Sequence, residues 1–249
     1  MKVKKLALTG VLTALAFVLY EYVSLPIPPT SSPLITLSFG IIPIFLIAYF
    51  CGTFYAASAA VIVDILGYFL VGASKGYAFN IGYTFNALLS GLIIGVILEF
   101  KDKLNSKKGT LFIILFESVF TILTLTTFII SFKYTDIGER MSNKGMKEGA
   151  ELIIILFSLI LNSSIVLYAI FSRNKDYDNA LNLSLIIYMS IVSLLLTPLW
   201  ISLQGRTIGF YFYLWVTRLV TVPIEILIYS ILIRTLMIPL NKINKRFDR

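Results

Sequence analysis

Residues 53–73 read TFYAASAAVIVDILGYFLVGA, and Asp64 is the one Asp, Glu, Lys or Arg among them. A helix that crosses a bilayer needs about 20 mostly apolar residues, so this run has the length and composition of a transmembrane span. Gly52, just before it, and Ala56, Ala60 and Asp64 within it fall on one i, i+4 ridge. Small residues on such a ridge let a second helix backbone come close, which is how helices associate in lipid.

Working outward, the same reading finds seven more apolar runs, at residues 5–25, 33–51, 77–99, 109–132, 151–172, 180–203 and 208–238. The last contains Pro223, so it is expected either to kink or to extend beyond the bilayer. The first begins with Lys2, Lys4 and Lys5 and resembles a signal peptide as far as Ala14-Leu15-Ala16, but its apolar stretch continues through Phe17, Val18 and Leu19. That continuation suits a retained helix. The expected fold is therefore all-α, a polytopic membrane helical bundle forming one integral membrane domain over residues 1–249.

The composition agrees. Of 249 residues 58% are hydrophobic and 14% charged, with a mean hydropathy of +0.89. Soluble domains run to about 45–50% apolar and about 25% charged residues. A water-soluble enzyme, a secreted disulfide scaffold and a disordered regulator are all excluded. The net charge of +8 would hint at nucleic acid in a soluble protein, but here the basic residues sit at the ends of apolar runs. Nucleic acid is not an expected partner; the lipid bilayer is.

Charge also sets the orientation. With the N-terminus inside, 13 Lys and Arg fall in cytoplasmic segments, at Lys2, Lys4, Lys5, Lys101, Lys103, Lys107, Lys108, Arg173, Lys175, Lys242, Lys245, Arg246 and Arg249. Six fall outside, at Lys75, Lys133, Arg140, Lys144, Lys147 and Arg206. The positive-inside rule then places both termini in the cytoplasm of a multi-pass cell-membrane protein.

Catalytic chemistry has little to stand on. The chain has no histidine and one cysteine, Cys51, which removes the commonest metal ligand and any internal disulfide or thiolate cluster. It has no phosphate-binding GxxxxGK[ST] loop and no HExxH or GxGxxG. No enzyme activity, metal or cofactor is expected.

Two signals remain. Small residues recur at Ala7, Gly10 and Ala14 in the first run and at Gly91 and Gly95 in the fourth. Packing within the bundle is the expectation for the third and fourth runs. A surface for a partner subunit competes evenly with it in the first. Ionisable residues at membrane depth are costly unless paired. Asp64 and Arg218 lie at similar depths, about 12 and 15 Å from the outer ends of their runs. Along the last run Tyr211, Trp215, Arg218, Val222, Glu225 and Tyr229 recur at helical spacing. Either the Arg and Asp pair to fix helix register, or this stripe lines a cavity for a flat, polar, aromatic ligand.

Two segments then resemble a known family. The first runs from Ile35-Thr36-Leu37-Ser38-Phe39-Gly40-Ile41-Ile42-Pro43 through Asp64-Ile65-Leu66-Gly67 to Gly82-Tyr83-Thr84-Phe85-Asn86 and Gly91-Leu92-Ile93-Ile94-Gly95. The second comprises Pro198-Leu199-Trp200, Gly205, Arg218 and Pro223-Ile224-Glu225. Together they resemble the substrate-binding S components of energy-coupling factor (ECF) vitamin transporters, most of all the folate type. The resemblance covers residues 1–100 and 178–243. It implies a six-helix core, with residues 101–177 supplying an inserted helix pair.

The resemblance also implies a function: capture of a vitamin, here folate, from outside, and inward delivery with a transmembrane T component and two ATPase subunits. The missing phosphate loop fits that division of labour. In such a pocket Arg218 would hold an anionic or ring-polar group and Asp64 a ring N–H. Trp200, Tyr77 and Phe79 would stack, Lys75 and Arg206 would attract the glutamate tail, and Asn80 and Thr84 would supply hydrogen bonds. Ala7, Gly10 and Ala14 would meet the T component. The alternatives are an S component for a different vitamin and a stand-alone secondary transporter, although no inverted repeat relates the two halves.

Overall fold

A computed structural model describes residues 2–27, 35–76, 78–104, several positions between 111 and 126, 179–203 and 208–247. Its helices are α1 (Lys2–Glu21), α2 (Ile41–Cys51), α3 (Thr53–Gly67), α4 (Ile81–Glu99), α5 (Lys101–Leu104), α6 (Asn179–Tyr188), α7 (Thr197–Leu203) and α8 (Ile208–Phe247). A hairpin of β1 (Ser24–Ile27) and β2 (Ile35–Ser38) follows α1. Two compact units are formed, residues 1–100 with 225–249, and residues 101–224.

Four helices among the described residues are long and apolar enough to cross a membrane: Val3–Glu21, Thr53–Lys75, Ile81–Glu99 and Ala180–Ile201. Their outward faces are apolar too, with Phe54 77% and Ile81 75% exposed. Rings and branched chains in that position need lipid around them.

In the first unit α3 and α4 make the most extensive helix contact, and glycine explains it. A methyl group at Gly91 would stand 2.5 Å from the Ala57 Cα, and one at Gly95 2.6 Å from the Thr53 Cα. The expected small-residue packing of these two helices is therefore present. At one end of the seam Thr53 Oγ1 donates to Glu99 Oε1 at 2.5 Å. Gly52, at φ 107°, turns the chain from α2 into α3, a backbone conformation that side chains resist. The later part of α8 joins this unit by a face of Glu225, Ile226, Tyr229, Ser230, Ile233 and Met237, all buried. Tyr229 donates its hydroxyl to the Ser38 carbonyl at 2.6 Å and sets its ring edge-on to Phe39.

The hairpin corrects the expected boundaries. The runs expected to end at residue 25 and to begin at residue 33 give way to strands at 24–27 and 35–38, with α1 ending at Glu21 and α2 starting at Ile41. Ile35 and Thr36 are β-branched, which favours extended backbone, and β2 runs to Ser38 before the turn at Phe39-Gly40. Only 11 residues remain for α2, short of a crossing by itself.

In the second unit α6 continues through a π-helical segment, Met189–Leu196, into α7. The π register is visible where the Thr197 backbone N–H donates to the Val192 carbonyl, five residues back; the Thr197 hydroxyl donates to the same oxygen at 2.7 Å. The last run lies in one helix: α8 includes Pro223 and is 40 residues long, about twice what a crossing requires. The runs expected at 109–132 and 151–172 lie largely outside the described residues. The described positions Leu111, Leu115, Val119 and Ile122 are helical and exposed.

Candidate functional site

Asp64 is carried by α3 on the face that meets α4, on the same ridge as Ala56 and Ala60. Across the seam Thr84 Oγ1 donates to Asp64 Oδ2 at 2.7 Å. A hydrogen bond to an ionised acceptor is roughly twice as strong as a neutral one. One oxygen of Asp64 is thereby anchored to the neighbouring helix.

Beyond Asp64 the helix loosens into a π-helical turn, Tyr68–Gly72, then a 3-10 turn, Ala73–Lys75. Gly76 reverses the chain at φ 75°, in the left-handed region. Asn80 starts α4 as its N-cap, its Oδ1 accepting from the Gly82 N–H at 2.8 Å. That bond uses the carbonyl end of Asn80 locally. Lys75 is exposed on this connection, and Phe79, 48% exposed, sets its ring edge-on to Tyr68 at 5.0 Å.

Glu21, which the sequence reading did not single out, belongs to the same end. Its carboxylate rests directly against Gly67 of α3, where any β-carbon would collide with Oε1. It also lies within electrostatic range of both Lys75 and Asp64. Glu21 is the sole acidic residue of the run 5–25, and that was the available signal. Glu21, Asp64, Thr84 and Lys75, with the Tyr68–Phe79 pair, thus gather acceptors, a cation and aromatic rings around one end of α1, α3 and α4.

Arg218 and Trp200 belong to the second unit. Arg218 donates through Nη1 to Ser193 Oγ at 2.7 Å, in the π-helical segment. Ser193 was not anticipated; its signal is the pair Ser190 and Ser193 inside an otherwise apolar run. Trp200 is half-buried on α7. Along the stripe predicted on α8, Val222, Glu225 and Tyr229 are buried and Arg218 is half-buried. Tyr77 and Arg206 lie outside the described residues, as do the side chains of Tyr211 and Trp215.

The small residues of α1 face the other way. Leu12, Thr13 and Ala16 are buried, while Ala7, Gly10 and Ala14 are exposed. A methyl group at Gly10 would meet nothing within 4 Å among the described residues.

The chemistry available at the α1–α3–α4 end is recognition. Carboxylates and a hydroxyl receive N–H groups, a lysine draws anions, and rings stack on rings. No group of three or more His, Cys, Asp or Glu able to hold a metal ion occurs among the described residues.

Comparison with known proteins agrees with this architecture. No curated protein matches the chain. Among solved structures, one titled "Crystal structure of FolT bound with folic acid" shares the fold, with a TM-score of 0.52 and 21% identity over 94% of this chain and 92% of that one. Residues 1–171 match the family described as ECF-type riboflavin transporter, S component, and the match runs on through most of the segment read from sequence as an insertion. With well over half of its length in that match, the chain belongs to the S-component family of ECF transporters, which is a transporter family and not an enzyme class.

Proposed function

We propose that this chain is the substrate-binding membrane subunit of an ATP-driven ECF vitamin importer, taking folate from the outer side and delivering it inward with a T component and two ATPase subunits. The observation that carries the reading is the Asp64–Thr84 hydrogen bond, set among Glu21, Lys75 and the Tyr68–Phe79 pair. Acceptors, a cation and aromatic rings are thereby gathered at one end of α1, α3 and α4, in a chain of this family. The folic acid named with the structural neighbour supports folate over other vitamins.

In this reading Asp64 accepts a ring N–H, Phe79, Tyr77 and Trp200 stack, and Lys75 and Arg206 draw the glutamate tail. Arg218, already oriented by Ser193, takes an anionic or ring-polar group, while Asn80 and Thr84 hold the polar edges. Both termini lie in the cytoplasm. The exposed face of Ala7, Gly10 and Ala14 docks the T component.

The experiment is a titration of the purified, detergent-solubilised chain with a panel of vitamins, followed by quenching of its two tryptophans. One-to-one quenching by folic acid and not by thiamin or riboflavin is expected. Arg218→Ala is expected to weaken folic acid by about 30-fold or more, the 2–5 kcal/mol that truncating one partner of a buried hydrogen-bonded charge pair costs. Unchanged affinity would remove Arg218 from the site. A second reading, riboflavin as substrate, is favoured by the family's own description; tight quenching by riboflavin alone would establish it.

A further inference from the structure

We propose that Glu21 is a specificity-determining residue of this site, acting beside Asp64 to receive the N–H edge of a donor-rich, pterin-type heterocycle and to disfavour a flavin ring. The inference rests on the reading of the chain as a vitamin-binding subunit and names the chemical class that its carboxylates select.

Glu21 stands at the end of α1, and its carboxylate presses on α3 where Gly67 leaves no side chain in the way. Asp64 lies one turn earlier on α3, so Asp64 and Gly67 share a face at i, i+3 spacing. The two carboxylates are within electrostatic range of each other. Like charges repel, and that cost is acceptable where something between them supplies donors. Thr84 supplies one hydroxyl, to Asp64 Oδ2. Lys75 supplies a charge, but it is exposed on the connection to α4.

An ionised carboxylate only accepts hydrogen bonds, through two oxygens with about four lone-pair sites. A pterin presents an amino group next to a ring N–H along one edge, two parallel donors that a single carboxylate receives in a paired arrangement. The corresponding flavin edge presents carbonyl, N–H, carbonyl. Each carbonyl would set lone pairs against carboxylate lone pairs, and that edge needs two donors around one acceptor. Two carboxylates side by side therefore select the first pattern over the second. The Tyr68–Phe79 pair is sequence-neutral in this respect, because either ring system offers a π-face to stack on.

The test uses the full chain in detergent, titrated with folic acid, pterin-6-carboxylic acid, p-aminobenzoylglutamate and riboflavin. Glu21→Gln keeps size and shape while turning one acceptor into a donor, and Gly67→Ala displaces the Glu21 carboxylate without altering it. Glu21→Gln is expected to weaken folic acid and pterin-6-carboxylic acid alike, by about tenfold, the worth of one hydrogen bond to a charged group. The p-aminobenzoylglutamate affinity should stay within twofold, and Gly67→Ala should follow the same ligand pattern. Folic acid binding that is tight in the parent and unchanged in Glu21→Gln would overturn this inference while leaving the proposed function standing. Equal losses for the pterin and the p-aminobenzoylglutamate fragments would mark a general disturbance and overturn it as well. A parent chain that binds riboflavin and rejects folic acid would overturn both, and it would do so before any variant is compared.

Discussion

Two helix faces in this protein carry the same sequence pattern and meet opposite surroundings. On α4, Gly91 and Gly95 are pressed so closely onto α3 that added methyl groups would stand 2.5 and 2.6 Å from the Ala57 and Thr53 Cα atoms. On α1, Gly10 and its neighbours Ala7 and Ala14 look outward, and a methyl group at Gly10 would touch nothing described. Small residues at helical spacing announce that a backbone can approach. They do not say whether the approaching helix belongs to the same chain. The first face is consumed by the fold, whereas the second is left open among the described residues, as docking of a partner subunit would require.

That contrast is easiest to break at the packed seam. Gly91→Leu should cost the isolated chain about 3 kcal/mol or more, the upper range for overpacking, because the obstructing atoms are backbone. A detergent melting curve would show a large drop in midpoint or no folded protein. Thr84→Val should cost about 2 kcal/mol by leaving Asp64 Oδ2 without its donor, and the same variant should weaken folic acid. Gly52→Ala should cost about 1–2 kcal/mol, since φ 107° is a strained conformation for a residue with a side chain. Gly10→Leu sharpens the comparison from the other side. Stability of the isolated chain should stay within about 0.5 kcal/mol, as for surface positions elsewhere, while co-purification with the T component is lost. A destabilised Gly10→Leu chain would mean that the α1 face is already occupied.

Much of the helical architecture was legible in the sequence because hydropathy over about 20 residues measures what a bilayer demands. The α3–α4 seam was legible from glycine and alanine spacing, and Asp64 from its cost at depth. The hairpin was not. Ile35–Ser38 and the helix that begins at Ile41 form one apolar run, and hydropathy is indifferent to whether the backbone is extended or coiled. The π-helical segments at Tyr68–Gly72 and Met189–Leu196 were invisible for a related reason: shifting a hydrogen bond by one residue changes no side chain. Glu21 escaped because a carboxylate at the end of an apolar run reads as an ordinary flank. Its importance lies in Gly67, 46 positions away, whose missing side chain lets it reach α3. Ser193 escaped likewise, as a serine that matters through Arg218.

The chain is proposed as a capture subunit that does not complete transport by itself. The direct measurement is uptake of labelled folic acid into vesicles holding the chain alone, and into vesicles that also hold the T component and both ATPases with ATP. Binding without accumulation is expected in the first and ATP-dependent accumulation in the second. Accumulation by the chain alone would contradict it and establish a stand-alone carrier.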